Sequence, residues 1–505
     1  MKKLIALMLV FSFVFALASC DGSQSPDETE TTEQYVLPTP VVNADISLPY
    51  TSAAGFDPYT TKSSLNRDLI PVIYEGLFIS TDNGEGIPLL AISSKNEGKK
   101  VTVKLLQGAR FSDGTEILSS HVKSSFEKAK NSAYYSAALK NIASVTLADN
   151  YNIIFNLTNP DAQCVNVLNF PIVKSNGKAV IGSGKYYVAE FKDATYLQVN
   201  EHHREYKSSW NEQIALYDMA GITSPLYPFK ANEISVYKND LSTEEYVNLS
   251  SKTISVGTDN LVYAGVNSQW AGTVTSIDWV RQAINIGIDR TGISAASFLG
   301  QGTPTVTPFK SQLKGLEGIE LVGEKGNLER AIGILERNGY NKTNSEGIRT
   351  NGSASLRVDI LVCIENPYKL TVAESFKAEL EKLGFGVTIN KKKTTEEFVA
   401  ALKEGHYSFY IGETKLTPNC DMSAFFSKSG KLNYGIDEEF FSEYSSYKKG
   451  EASTTQFVES FSTEIPFLPL FYRKAVVSVN PNISGIDDSK SLYSSVSDWK
   501  KQQAD

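Results

Sequence analysis

Catalysis needs a nucleophile, a base and an orienting group at workable spacing, and the 505 residues offer few such sets. Only four histidines are present: His121, His202, His203 and His406. His202 and His203 are adjacent just after a predicted strand, so their side chains diverge, and neither has a partner four residues on. That pattern reads as surface histidine rather than as a metal site or a general base. Gly182-Ser183-Gly184-Lys185 has the look of a phosphate loop. However, residue 179 is Ala where such a loop needs Gly, and Tyr186 stands where Ser or Thr would bind magnesium. The stretch reads as a tight turn. Ser120-x-x-Lys123 or Ser125-x-x-Lys128, then Tyr237-Lys238-Asn239, then Lys428-Ser429-Gly430, follow the order of a penicillin-binding-type serine enzyme. That chemistry needs its last triplet on a strand lining the site, and here the triplet falls in a polar loop. Serine and lysine are abundant, so such an order arises by chance. No catalytic residue, metal ligand or cofactor is assigned.

One thiol has a clearer meaning. Cys20 follows two lysines, an apolar run from Leu4 to Ala18 broken only by Ser12, and the small residues Ala18 and Ser19. The run is short for a membrane span, which needs roughly 20 residues, and suits a secretory leader. Leu17-Ala18-Ser19-Cys20 resembles the lipobox of bacterial lipoproteins. The resemblance implies cleavage before Cys20 and a lipid on its sulfur, giving a membrane partner; Asp21 fits retention at the outer face of the cytoplasmic membrane. Asp21 to Gln34 carries five acidic residues and no basic or large apolar one, so it cannot offset its ordering entropy. A tether of about twenty such residues reaches roughly 25 Å. The other thiols, Cys164, Cys363 and Cys420, are far apart and allow at most one disulfide. A net charge of −8 and a pI near 5.4, with no basic stripe, argue against a nucleic-acid partner.

The elements that must position any site follow from periodicity. Val101–Leu105, Tyr151–Leu157 and Tyr196–Asn200 read as strands. Leu356–Ile364 is a near-continuous apolar strand, expected where both faces are covered. Val372, Phe376, Leu380 and Leu383 then form one helix face ending at Gly384. Phe385–Ile389 is a strand, Thr394-x-x-Glu397 opens a helix, Gly405 ends it, and Tyr407–Ile411 is a third strand. This βαβαβ order predicts a doubly wound α/β unit with a parallel sheet. Further helices are predicted over Ser276–Arg290 and Asn327–Asn338, the latter ended by Gly339.

Several ordered motifs carry a family resemblance. They are Phe56-Asp57-Pro58, Tyr74-Glu75-Gly76-Leu77, Pro88-Leu89-Leu90-Ala91 and the strand–turn–helix stretch Val101–Glu127 with Phe111-x-Asp113-Gly114. Gly182–Tyr186, Val280–Ile284 with Ile288-Asp289-Arg290, Gly302-Thr303-Pro304 with Pro308, and Ile465–Leu470 follow. Together they resemble the family 5 solute-binding proteins, the oligopeptide and dipeptide receptors of ABC importers, over about residues 45 to 475. Physically, Asp113-Gly114 is a turn, and Arg281 and Asp289 suit helix surface pairs or lobe packing.

The resemblance implies an α/β, periplasmic-binding-protein-like two-lobe fold with an extra domain inserted in lobe one and a hinge-closing cleft. The expected division is leader 1–19, tether 20–42, lobe one from 43–73, 179–261 and 473–505, the insert 74–178, and lobe two 262–472. The chain would cross near Val262 and return near Phe471. A monomer with no catalysis of its own is expected. It would bind extended peptides, strand-like, and deliver them to ABC permease subunits.

The family's amine-anchoring aspartate has no counterpart. Asp421 reads as the N-cap of a short helix Asp421–Phe426, three residues after Pro418, and the family's neighbouring tryptophan falls on Lys415. Glu413 or Asp421 are the acids left to replace it. A longer or modified peptide, another polar solute or a sensor role for the lipoprotein therefore stays open, with nickel disfavoured because no histidine but His406 lies near this loop in sequence. The ligand-binding candidates are Tyr50, Asp57 and Tyr59 in the early loop, Thr414, Lys415, Leu416, Thr417, Pro418 and Asn419, and Phe471 and Tyr472 at the return crossing.

Overall fold

The computed structural model describes residues 44–502 apart from 176, 178–179, 193, 242–245 and 487–490. The leader, Cys20 and the acidic tether lie outside the described residues.

Two four-stranded sheets build the first lobe. One runs Ser47–Tyr50, Gln213–Asp218, Ala194–Val199 and Tyr186–Phe191, with only its first pair parallel. The other is the antiparallel set Ala91–Asn96, Lys100–Leu105, Asn152–Leu157 and Ile142–Leu147. Alternation decides its inner face: Val101, Val103 and Leu105 are buried while Lys100 and Lys104 are exposed. Both sheets feed a single hydrophobic cluster, which the helix Ser64–Ile73 joins through Leu69, Ile70, Val72 and Ile73. Late residues Tyr493, Val496 and Trp499 complete it.

The second lobe is built on a seven-stranded sheet whose main path runs Val236–Asn239, Phe467–Val479, Lys252–Val266, Phe409–Lys415, Arg357–Cys363 and Gly386–Lys392. The last three strands are mutually parallel, as the predicted βαβαβ order requires. Both faces are covered, so the strands bury residues of both parities. Val262, Ala264 and Val266 enter one cluster with the helices Asp278–Gly287, Leu328–Arg337 and Pro367–Lys382. Leu261 and Tyr263 enter the other with Phe425, Phe457 and Phe461. Tyr263 lies across Gly412 and Tyr410 across Gly265, where an added Cβ would sit 2.3 and 2.0 Å from the facing ring. Those glycines are the space the two rings occupy.

Two long strands are shared by both lobes. Lys252–Val266 and Phe467–Val479 pair antiparallel along their length. Val256, Ala475, Val477 and Val479 belong to the first lobe's core, whereas Val262, Ala264, Leu468 and Leu470 belong to the second's. Between the two stretches the register breaks from Gly257 to Leu261, with Asp259 in the left-handed region at φ 60°. Such a bulge bends a strand locally.

Three local expectations are corrected. The helix over 276–290 is two helices, Asp278–Gly287 and Arg290–Ala296, because Ile288 is extended and Asp289 caps the second, accepting from Gly292 N at 2.9 Å. Asp421 opens no helix; its Oδ1 accepts from Ser423 N at 3.0 Å in a turn. His203 is buried rather than on the surface, 3.2 Å from Glu75 Oε1, which also takes Arg204 Nη1 at 2.6 Å. Together they pin the Tyr74–Leu77 segment to the loop after Val199.

Candidate functional site

Apart from Lys238 and Asp240, the charged groups at the crossing strands come from well-separated parts of the chain. The parallel strands Arg357–Cys363 and Phe409–Lys415 both end there, and the carboxyl ends of such strands are where open α/β sheets leave a crevice. Arg473, whose side chain is fully buried, donates from Nε to Glu413 Oε1 at 2.7 Å, and its Nη1 lies 2.7 Å from Asp240 Oδ1. Asn260 Nδ2 donates to the same Glu413 oxygen at 2.7 Å, and Lys369 Nζ stands 4.0 Å from Oε2. Asp68, on the first lobe's helix Ser64–Ile73, pairs with Lys238. Burial still raises the Asp68 carboxyl above its ordinary value against the pull of that ammonium. Charges of alternating sign therefore line the seam. Arg473 Nη2 is buried without a hydrogen-bond partner among the described residues.

A second seam joins the lobes through loops. In the first lobe, the turn Thr81–Gly86 is stiffened by Thr81 Oγ1, which donates to Asn83 Oδ1 at 2.5 Å and accepts from Gly86 N at 3.0 Å. It carries Asp82 to Lys310 Nζ at 2.7 Å and Glu85 to Lys314 Nζ at 2.8 Å. Lys310 also pairs with Asp259 in the bulge. Asn166 is fully buried; it holds Thr81 and donates to the Pro418 carbonyl at 3.2 Å. Asn419 Nδ2 donates to Asp161 Oδ2 at 2.7 Å, and Lys448 Nζ stands 3.9 Å from the same oxygen.

Thr417, Pro418 and Asn419 thus lie at the lobe boundary. Thr414 and Lys415 pair across to Leu261 and Asn260 beside the bulge, and Leu416, buried, donates its N–H to Asp259 O at 3.1 Å. Tyr472 donates to the Pro308 carbonyl at 2.6 Å, with Lys310 Nζ 5.8 Å from its ring. Phe471 is enclosed in the second lobe's core, edge-on to Phe298 at 6.0 Å, so its ring is a packing group. The early-loop residues keep to the first lobe. Tyr50 stacks on Phe56 at 5.8 Å, and Asp57 caps its own turn, accepting from Tyr59 N at 2.9 Å. Tyr59 is buried with its hydroxyl on the Pro171 carbonyl, and burial pushes that hydroxyl far above its ordinary pKa. Sequence reasoning missed Asp240, Lys369 and Arg473, and also Asp82, Asp161 and Asn166. A usable signal was Arg473 itself, a charge inside the apolar run Phe467–Val479.

Of the residue types for metal or covalent chemistry, Cys164 and Cys420 stand beside the outer seam, while His121, His406 and Ser125 lie elsewhere. His121 packs edge-on to Phe111, and His406 packs against Trp270. Ser125 exchanges hydrogen bonds with the Val173 backbone. Cys164, Cys363 and Cys420 are free thiols, and burial pushes Cys420 up to about 12. Among the described residues no group of three or more His, Cys, Asp and Glu is placed to hold a metal ion.

A family model for bacterial extracellular solute-binding proteins, family 5 Middle, matches residues 85–433. The chain belongs to this family. Solute-binding proteins of this kind bind their ligands outside the cytoplasm, work with ABC permeases, and are not enzymes. The chain is 21% identical to the nickel-binding protein NikA of Staphylococcus aureus over 458 residues, 86% of this chain and 83% of that one. It is 23% identical to the glutathione-binding protein GsiB of Pectobacterium atrosepticum over 291 residues, 51% and 54% of the two chains. Among solved structures, the oligopeptide-binding protein AppA of Bacillus subtilis, in complex with a nonapeptide, superposes with a TM-score of 0.54 at 18% identity. That match covers 91% of this solute-binding protein and 99% of AppA, and it shows the shared two-lobe fold.

Proposed function

We propose that this solute-binding protein carries extended peptides between its lobes without anchoring a free N-terminal amine. The observation that carries the reading is that both candidate acids are already committed. Glu413 is held by Arg473 and Asn260. Asp421 takes the Tyr444 hydroxyl at 2.6 Å and the Ser423 N–H at 3.0 Å. A buried ammonium without a partner is costly, so an amine has no inducement to enter. Peptide recognition then falls to main-chain hydrogen bonds, for which Thr414–Asn419 and Tyr472 border the boundary. Asp57 belongs to this reading as a rim residue of the first lobe, with Tyr50 buried in the core beside it. The two lobes exchange at Gly257–Leu261 and again beside Arg473, with residues 74–178 as the extra domain. A lipid on Cys20 holds the monomer at the outer face of the cytoplasmic membrane, where its permease lies.

The test is native mass spectrometry of the purified protein for a co-purified ligand, followed by calorimetry with paired peptides. Acetylated and free-amine forms are expected to bind within about threefold, under 1 kcal/mol. A homogeneous sugar or metal adduct with no peptide would sink the reading. A non-peptide polar solute is the second reading, favoured by the long match to a nickel-binding relative.

A further inference from the structure

Lys310 gathers carboxylates from both sides of the lobe boundary. Its Nζ lies 2.7 Å from Asp82 Oδ1, on the first lobe's turn, and 2.5 Å from Asp259 Oδ1, in the bulge of the crossing strand. Tyr472, on the returning strand, presents its ring to the same ammonium. The backbone beneath Lys310 belongs to the second lobe. Phe309 is fully buried against Tyr447 and Phe457, and its carbonyl accepts from Thr307 Oγ1 at 3.0 Å. Leu313 and Leu316 sink into the same cluster. Burial opposes the charged form of Lys310, but the two carboxylates outweigh it and raise the ammonium above its ordinary value.

The two acids differ in what a parting of the lobes does to them. Asp259 sits where the register between the crossing strands is lost, from Gly257 to Leu261. Its carbonyl accepts from Leu416 N at 3.1 Å, which ties it to the second lobe and so to Lys310. Asp82 rides on the first lobe and leaves with it. A lysine side chain carries about 2 kcal/mol of rotamer entropy, part of which is lost when it forms an ion pair. A partner that stays beside it when the lobes part removes much of that cost in advance.

We propose that Lys310 is a closing latch aimed from the hinge: Asp259 holds its ammonium ready, and Asp82 arrives on closure to complete the site. This rests on the two-lobe fold and not on which solute is carried. Hydrogen exchange on the full chain reads closure through one amide, because Lys314 N–H donates to the Asn83 carbonyl at 3.2 Å across the lobes. Rates there are compared with those in the strands Lys100–Leu105 and Arg357–Cys363, one in each lobe. Lys310→Met is expected to speed exchange at Lys314 about fivefold, equivalent to about 1 kcal/mol. Asp259→Asn is the deciding variant. It lies outside both segments that make this hydrogen bond, and asparagine tolerates the left-handed backbone that Asp259 adopts. It should speed Lys314 exchange about threefold in the wild-type background and leave it unchanged in Lys310→Met, as expected of two residues acting through one ammonium. No change in Lys310→Met overturns the proposal. So does an Asp259→Asn effect that is absent in the wild-type background or persists in Lys310→Met. An equal rise in the two reference strands also overturns it, since that marks a loss of global stability rather than of closure.

Discussion

The two seams between the lobes use similar residue types in opposite ways. At the crossing strands the charges sit on continuous backbone, and the central Arg473 is buried against the equally buried Glu413, with the half-exposed Asp240 at its outer end. At the outer seam the partners ride on loops, with Asp82, Glu85, Lys310 and Lys314 all partly open to water. Coulombic attraction is weak in water and strong where water is excluded. The first seam is therefore fixed in any arrangement of the lobes that keeps the strands intact. The second is a set of contacts that parting the lobes would rehydrate at modest cost. Hinge and latch are made from the same chemistry, separated by solvent.

The sharpest way to break that comparison is at Arg473. Arg473→Met strands the buried Glu413, and about 3–5 kcal/mol of unfolding free energy should be lost. Denaturant titration measures it; adding Glu413→Gln should restore part of the loss. A loss no greater than at the outer seam would erase the distinction between them. Next in size is Asn419→Asp, which sets a carboxylate against Asp161. The lobes should separate in the cargo-free protein, at about 1–2 kcal/mol, seen as a larger radius of gyration by small-angle scattering. Adding Asp161→Asn should reverse it. A pH effect comes third. Burial alone would raise the Asp421 carboxyl, but Lys448, Tyr444 and Ser423 outweigh burial and hold it below its ordinary value. Its share of stability is thus present above the ordinary aspartate range and is lost as pH falls through the depressed value. Asp421→Asn should flatten that part of the stability–pH curve. The smallest effect is at the exposed pair Lys314–Glu85: Lys314→Ala should leave the melting temperature within experimental scatter.

The second lobe was the more legible half because its order is local. The capping pattern at Thr394, the terminator Gly405 and the apolar run at 357–363 each act within a few residues, and the strand–helix alternation forces parallel pairing. The single predicted helix over 276–290 failed at Ile288. Its apolar stripe continues across the break, so periodicity could not see that Asp289 starts a new helix. Much of the site was harder to see. Asp68, Lys238, Asp240, Lys369, Glu413 and Arg473 meet through tertiary contacts spanning four hundred residues, and no spacing rule joins them. His203 looked like a surface residue because Glu75, the partner that draws it inside, lies 128 residues away.

The strand Phe467–Val479 has a consequence for biosynthesis. It lies between Val236–Asn239 and Lys252–Val266, strands that emerge some two hundred residues earlier, and Trp499 fills the first lobe's core later still. The second lobe cannot finish its interior before Phe467–Val479 is made, nor the first before Trp499. Pairings of such long sequence separation form slowly. A nascent chain therefore stays incompletely folded until Phe467–Val479 has emerged.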